Sequence, residues 1–186
     1  ETLPGVPFGE DEPSFLLVRD AIRGLPTIPG FIGDEEIDHE IVDAMPDPAL
    51  RDASLMASYH LAPSGKMGIH TVEIGRPDGK SAALSQRERV VLRETALHKP
   101  IMRDRQFGQF VGELREVDLD ANRFHLRNIP SIGSLRCSMP LHVDNIRGLI
   151  GRGVRAEGFY ETDRSGRPRL MQVEQITPYQ TQAELK

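Results

Sequence analysis

FGQFVGELREVDLDANRFHLRNIPSIGSLRCSMPLHVDNIRGLIGRGVRAEGFYETDRSGRPRLMQVEQIT, residues 107–177, decides the fold of this chain. It divides into three strand-like runs, one helix-like run and two more strand-like runs. In the first run, 108–118, Phe110, Gly112 and Leu114 share one phase, whereas Val117 falls on the other. Either the strand ends there or a β-bulge flips the phase, and Gly112 permits strong local bending. In 123–127, Phe124 and Leu126 point one way while Arg123, His125 and Arg127 point the other, the period of a half-buried strand. In 134–139, Leu135, Cys137 and Met139 point inward and Ser134, Arg136 and Ser138 outward. Val143, Ile146, Leu149 and Ile150 make one stripe of a helix over 142–150, with Gly151 as its left-handed terminator. Strands at 153–161 and 169–176 follow, joined by turn residues throughout 162–168.

This β-β-β-α-β-β order resembles the oligonucleotide/oligosaccharide-binding (OB) superfold in order and spacing. The resemblance implies a five-stranded barrel that binds a ligand, commonly single-stranded nucleic acid, on the face of its second and third strands and on its first and last hairpin loops. The outward row Arg115, Arg123, His125, Arg127 and Arg136 lies on that face, and Arg164, Arg167 and Arg169 decorate the last loop. Guanidinium groups supply planar forks that match phosphate oxygens. Two features oppose the reading. Only Phe159 and Tyr160 offer rings for base stacking near this face. Glu113, Glu116, Asp118, Glu157, Glu161 and Asp163 also lie close by, so a sheet face laced with salt bridges explains the same pattern.

The expected class is α+β, with N-terminal helices and a small antiparallel meander ahead of the OB-like barrel. Residues 1–13 form a leader, 14–98 an N-terminal domain, 99–106 a linker, 107–177 the barrel and 178–186 a tail. A helix is expected over 14–25, with Phe15, Val18, Ile22 and Leu25 at helical spacing, broken by the prolines of 25–30. Asp34 is placed to cap a second helix bearing Ile37, Ile41 and Met45, stopped by Pro46. Asp47-Pro48 reads as another cap. The stretch 47–61 fits a helix, yet Leu55, Ala57, Tyr59 and Leu61 alternate as in a strand. The preferred reading is a short helical turn, then strands at 54–61, 68–75 and 80–84, with a turn at 76–79. Ser85-Gln86-Arg87-Glu88 is a capping box for a helix running to His98.

The 186 residues carry a net charge of −5, a hydrophobic fraction of 38% and a mean hydropathy of −0.38, a globular composition. Residues 1–105 hold 12 Lys/Arg against 18 Asp/Glu, and residues 106–186 hold 11 against 10, so the second half is better suited to meet a polyanion. No apolar run is long enough for a membrane span. The single cysteine, Cys137, makes no internal disulfide and no zinc cluster, and the expected location is cytoplasmic. His60, His70 and Glu73 have metal-ligand chemistry but no defined spacing, so no metal or cofactor is expected. Ser64-Gly65-Lys66 lacks the flanking residues of a phosphate-binding P-loop. No Gly-x-Ser-x-Gly elbow occurs, and Glu35, Glu36, Asp38 and Glu40 are explained by a helix N-terminus. The expected function is a non-catalytic protein that binds nucleic acid through the arginine row. The alternative is a protein-interaction module, such as an antitoxin-like or adaptor subunit, and the third reading is an enzyme.

Overall fold

The computed structural model describes residues 22–66, 68–75, 79–139 and 146–179. The expected leader, residues 14–21 of the first helix, residues 76–78 of the turn, residues 142–145 of the later helix and residues 180–186 of the tail lie outside these. The fold is α+β, with a five-stranded mixed sheet and a separate two-stranded antiparallel sheet.

The first half is built by short helical pieces. The α-helical run ends at Gly24, where the break was expected, and a 3-10 helix, Leu25–Phe31, carries the chain on through Pro26 and Pro29. Pro26 sits in its first turn, where the missing amide is not needed, and Ile28 is fully buried. The helix expected from Asp34 is also shorter than the sequence suggests. Residues 34–36 bend, Ile32 bridges to Ile37, and Asp38 accepts the amide of Glu40 at 2.9 Å. Only α1, Ile41–Ala44, is helical, although Ile37, Ile41 and Met45 are all buried as their spacing predicts.

Residues 48–61 form one helix, α2 (Pro48–Leu61), and the expected strand at 54–61 does not exist. Asp47 caps it by accepting from the amides of Ala49 and Leu50 at 2.9 and 3.0 Å, and Pro48 occupies the first helical position. Leu55, Met56 and Ser58 are buried together, which a strand's alternation forbids. The meander is therefore a hairpin of β1 (Thr71–Gly75) and β2 (Ser81–Ser85). The capping box opens α3 (Gln86–Leu92). Ser85 Oγ accepts from the Arg87 amide at 3.1 Å, and the Glu88 carboxylate accepts from the Ser85 amide at 2.7 Å. A π-turn over Arg93–Leu97 completes the helical run.

The second half holds β3 (Gln106–Asp118), β4 (Arg123–Ile129), β5 (Gly133–Ser138), β6 (Gly153–Thr162) and β7 (Pro168–Pro178). They pair in a closed ring, β3-β4-β5-β7-β6, in which β5 and β7 are parallel and the other pairs antiparallel. The phase flip in β3 is a bulge between Arg115 and Asp118, at Glu116 (φ 53°) rather than at Gly112. Gly112 serves close approach instead, since a Cβ there would lie 2.7 Å from the Arg127 carbonyl. Leu114, Phe124, Leu126, Leu135, Cys137, Val154 and Met171 fill the interior. The described part of the connection between β5 and β6 is a 3-10 turn, Ile146–Leu149, where an α-helix was expected.

The first half packs around Ile28, Ile41, Leu55, Leu84, Leu92 and Ala96. Burial of Cys137 pushes its thiol well up, which keeps it protonated and unreactive. Among the described residues, no helix is long and apolar enough to cross a membrane.

Gly158 sits at a register shift between β6 and β7, and a Cβ there would lie 2.1 Å from the Gln172 carbonyl oxygen and 3.0 Å from the Val173 Cα. Both are backbone atoms, so no side chain can rotate out of the way. Gly158→Ala is expected to lower stability by about 1–3 kcal/mol, as overpacking does, measured by urea unfolding. An unchanged urea midpoint would contradict this.

Candidate binding face of the five-stranded sheet

One cross-strand row on the outer surface joins all five strands. Arg115 on β3 opposes His125 on β4, and His125 opposes Arg136 on β5. Arg136 opposes Leu170 on β7, and Leu170 opposes Glu161 on β6. This is the face where the arginine row was expected to stand in solvent. Half of it is covered by α2.

Two consecutive residues of α2 make that cover. Asp52 is 1% exposed and receives Arg123 through two parallel contacts, Nε to Oδ2 at 3.0 Å and Nη2 to Oδ1 at 2.8 Å. Arg136 reaches the same carboxylate, Nε to Oδ2 at 2.6 Å. Arg123 was expected to point into solvent, but it is 3% exposed. Its remaining donors go to the carbonyls of Ala96 at 2.8 Å, Ala121 at 2.9 Å and Leu97 at 3.2 Å. The first and last of these close the π-turn, where a cation suits the negative end of the helical run.

Arg51, the neighbour of Asp52, is fully buried with the opposite polarity. Its Nη2 donates to Glu161 Oε2 at 2.6 Å, and its other donors reach the carbonyls of Met45 at 2.8 Å and Ile101 at 3.0 and 3.2 Å. The pair Arg51-Asp52 therefore meets an acid and two bases of the sheet, each with its opposite charge.

The two buried acids titrate in opposite directions. Burial pushes the Asp52 carboxyl up, but Arg123 and then Arg136 overcome this and hold it below the ordinary aspartate range. Burial also pushes Glu161 up, and there the attraction of Arg51 does not cancel it, so Glu161 stays above the ordinary glutamate range.

The other expected site residues are spread around this centre. Arg169 points to Asp47, Nε to Oδ2 at 3.3 Å, so the cap of α2 also touches β7. His125 meets Glu116 at 2.6 Å and Arg127 holds the same carboxylate, while Arg115 pairs with Glu113 at 2.5 Å. Burial lowers the His125 pKa, against the pull of the Glu116 hydrogen bond, which favours the neutral ring donating from Nδ1. Arg167 donates to the carbonyl of Ile132, and Arg164 is exposed on the loop between β6 and β7. The sheet thus gathers Arg115, His125, Arg127 and Arg136 on one face, while Arg167 reaches the turn between β4 and β5 and Arg169 turns to Asp47.

The sequence reading missed Asp52 and Asp47 as partners of the arginines; it named Glu161 among the nearby acids but not Arg51, the cation that Glu161 meets. The signal was present. On a helix, Asp52 falls on the same stripe as Leu55, Met56 and Tyr59, and a carboxylate on an apolar stripe demands a buried cation. The strand reading of 54–61 hid that stripe.

His60 lies edge-on to Tyr59, with ring centroids 5.2 Å apart, and His70 is exposed. Among the described residues, no three His, Cys, Asp or Glu side chains come together as a metal-binding group. An open cleft of about 680 Å³ between the two halves is lined by Glu36, His39, Glu94, His98, Arg103 and Gln172, among others. No protein-family model matches the chain, and no curated protein matches it.

The Asp52 carboxylate stabilises the fold above the ordinary aspartate range, and this contribution drains away as the pH falls through its lowered folded value. Glu161 has the reverse sign, contributing most at acid pH and less as the pH rises through its raised value. Asp52→Ala leaves the buried Arg123 and the partly buried Arg136 without their anion. It is expected to cost about 3–5 kcal/mol at neutral pH and to weaken the dependence of stability on acid pH. Equal acid sensitivity in wild type and variant, followed by urea unfolding, would sink this assignment.

Proposed function

We propose that this chain is a non-catalytic binding protein, built on an OB-like barrel, whose ligand is another protein. The strand order supports the OB reading, because β3 lies beside both β4 and β6 while β5 runs parallel to β7. A fold alone assigns no ligand, so the surface chemistry has to decide.

The observation that carries the proposal is the carboxylate of Asp52 between Arg123 and Arg136. In the OB superfold the second and third strands ordinarily offer their face to nucleic acid. Here the chain's own helix covers the centre of that face. Around it, Arg115, Arg127 and Arg169 each have a carboxylate within ion-pair distance. A row neutralised in this way has little attraction left for phosphates, whose binding draws on free cations and counterion release. The modest charge of the second half, near neutral, agrees with that.

A nucleic-acid reading survives in a narrower form, through Arg115, Arg127, Arg164 and Arg167 at the hairpin ends. Its support is that the Arg115 and Arg127 side chains are 52% and 54% exposed, and exposed ion pairs exchange easily.

Two measurements separate the readings. The purified chain is titrated with single-stranded DNA and RNA oligonucleotides from low to physiological salt. It is also isolated from its native host with nuclease treatment. The expected outcome is no oligonucleotide binding at low salt, and a stoichiometric protein that stays bound after nuclease. Oligonucleotide affinity that falls steeply with salt, and that is lost on substituting Arg127, Arg164 and Arg167 together, would replace the protein reading with the narrower one.

A further inference from the structure

Further along the outer face from Glu161, the outward side chains of β3, β6 and β7 form a flank of different chemistry. Phe107 and Phe159 are directly opposed across β3 and β6, with ring centroids 5.4 Å apart and planes at 78°. Phe107 is 61% exposed. The Arg105 guanidinium lies 5.3 Å from the Phe159 ring centroid. Further along β6, Arg155 lies 5.4 Å from the ring centroid of Tyr179, which is itself 37% exposed. The Nε donor of Arg155 is buried and has no acceptor among the described residues.

This flank contrasts with the row described above. There, most arginines meet a carboxylate. Here, among the described residues, Arg105 and Arg155 make ring contacts but no ion pair, and Glu157 is the acid standing between them on β6. Exposed aromatics with arginine and no lysine are the composition of protein-interface centres.

We propose that this flank is the docking surface for the protein ligand, and that the docking segment is acidic with an apolar side chain that packs against Phe107. This rests on the protein-binding reading above. Its carboxylates pair with Arg105 and Arg155, which have no carboxylate partner among the described residues, while Glu157 and the exposed Glu174 of β7 set the spacing an acidic segment has to respect. β6 has strand neighbours on both sides, β3 and β7, so the segment is held by side chains and not by adding a strand. The surface suits a polypeptide better than a nucleic acid. A guanidinium stands over Phe159 and another over Tyr179, leaving Phe107 as the bare ring for stacking, and Glu157 repels phosphate.

The test pans a phage-displayed library of random peptides on the full chain, with the Phe107→Ala chain as counter-selection. Recovered peptides are resynthesised and titrated against wild type, Phe107→Ala and the double variant Arg105→Ala/Arg155→Ala. Urea midpoints check that each variant is folded, which the exposure of Phe107 favours. The expected peptides pair Asp or Glu with an aromatic or Leu side chain, and lose about tenfold or more in affinity with either variant, the loss typical of an interface anchor. Peptides that bind the variants as well as wild type would overturn the surface while leaving the protein reading intact. Failure to enrich any peptide would overturn the proposed segment. A wild-type dimer that Phe107→Ala dissociates in sedimentation would make the occupant a second copy. Binding of oligo(dT) that depends on Phe107 would overturn both this surface and the protein reading.

Discussion

The arrangement of the molecule depends on one carboxylate. Asp52 leaves α2 at the point where Arg123 and Arg136 converge from neighbouring strands, and the three groups share a site from which water is nearly excluded. A buried ion pair of this kind need not be worth more than an apolar contact of the same volume, because desolvation opposes the Coulomb attraction. Its consequence lies in geometry. Arg123 also spends donors on the carbonyls of Ala96, Leu97 and Ala121, so a single side chain fixes the helix, the π-turn and the sheet relative to one another. Arg51 repeats the device with reversed charge towards Glu161. Sliding α2 by one residue would place like charges together, so the docking register is specified electrostatically as well as by packing.

The sheet was legible because its alternation is strong and local. Phe124, Leu126, Leu135 and Cys137 announced the interior of β4 and β5, and the misplaced phase of Val117 announced the bulge that Glu116 makes. The caps were legible for the same reason, since Asp47-Pro48 and Ser85 with Glu88 act within three residues. The helix α2 was misread because Leu55, Ala57, Tyr59 and Leu61 happen to alternate, and alternation over four positions does not outweigh a cap followed by good helix formers. The short segments at 25–46 were misread for a different reason. Their apolar residues are buried as helical spacing suggests, but tertiary contacts hold them in bends and 3-10 turns.

The site was legible only as a list of charges. Outward on a strand means away from that sheet's own interior, not towards solvent, and the difference depends on what else packs there. Nothing in the period of β4 distinguishes Arg123, enclosed, from Arg127, exposed. The distinction is carried by residues some seventy positions earlier, which no local pattern connects to them.

The enclosure of Arg123 and Arg136 also bears on how the chain may be divided. A fragment beginning near residue 105 would keep every strand of the sheet yet lose the carboxylate that neutralises its central cations. Such a fragment would display, on its second and third strands, a positive surface that the intact chain conceals. Polyanions would adhere to it for reasons foreign to the whole molecule. The sheet and the helix that covers it are thus chemically one object, and affinity of the excised sheet for nucleic acid would describe the cut rather than the protein.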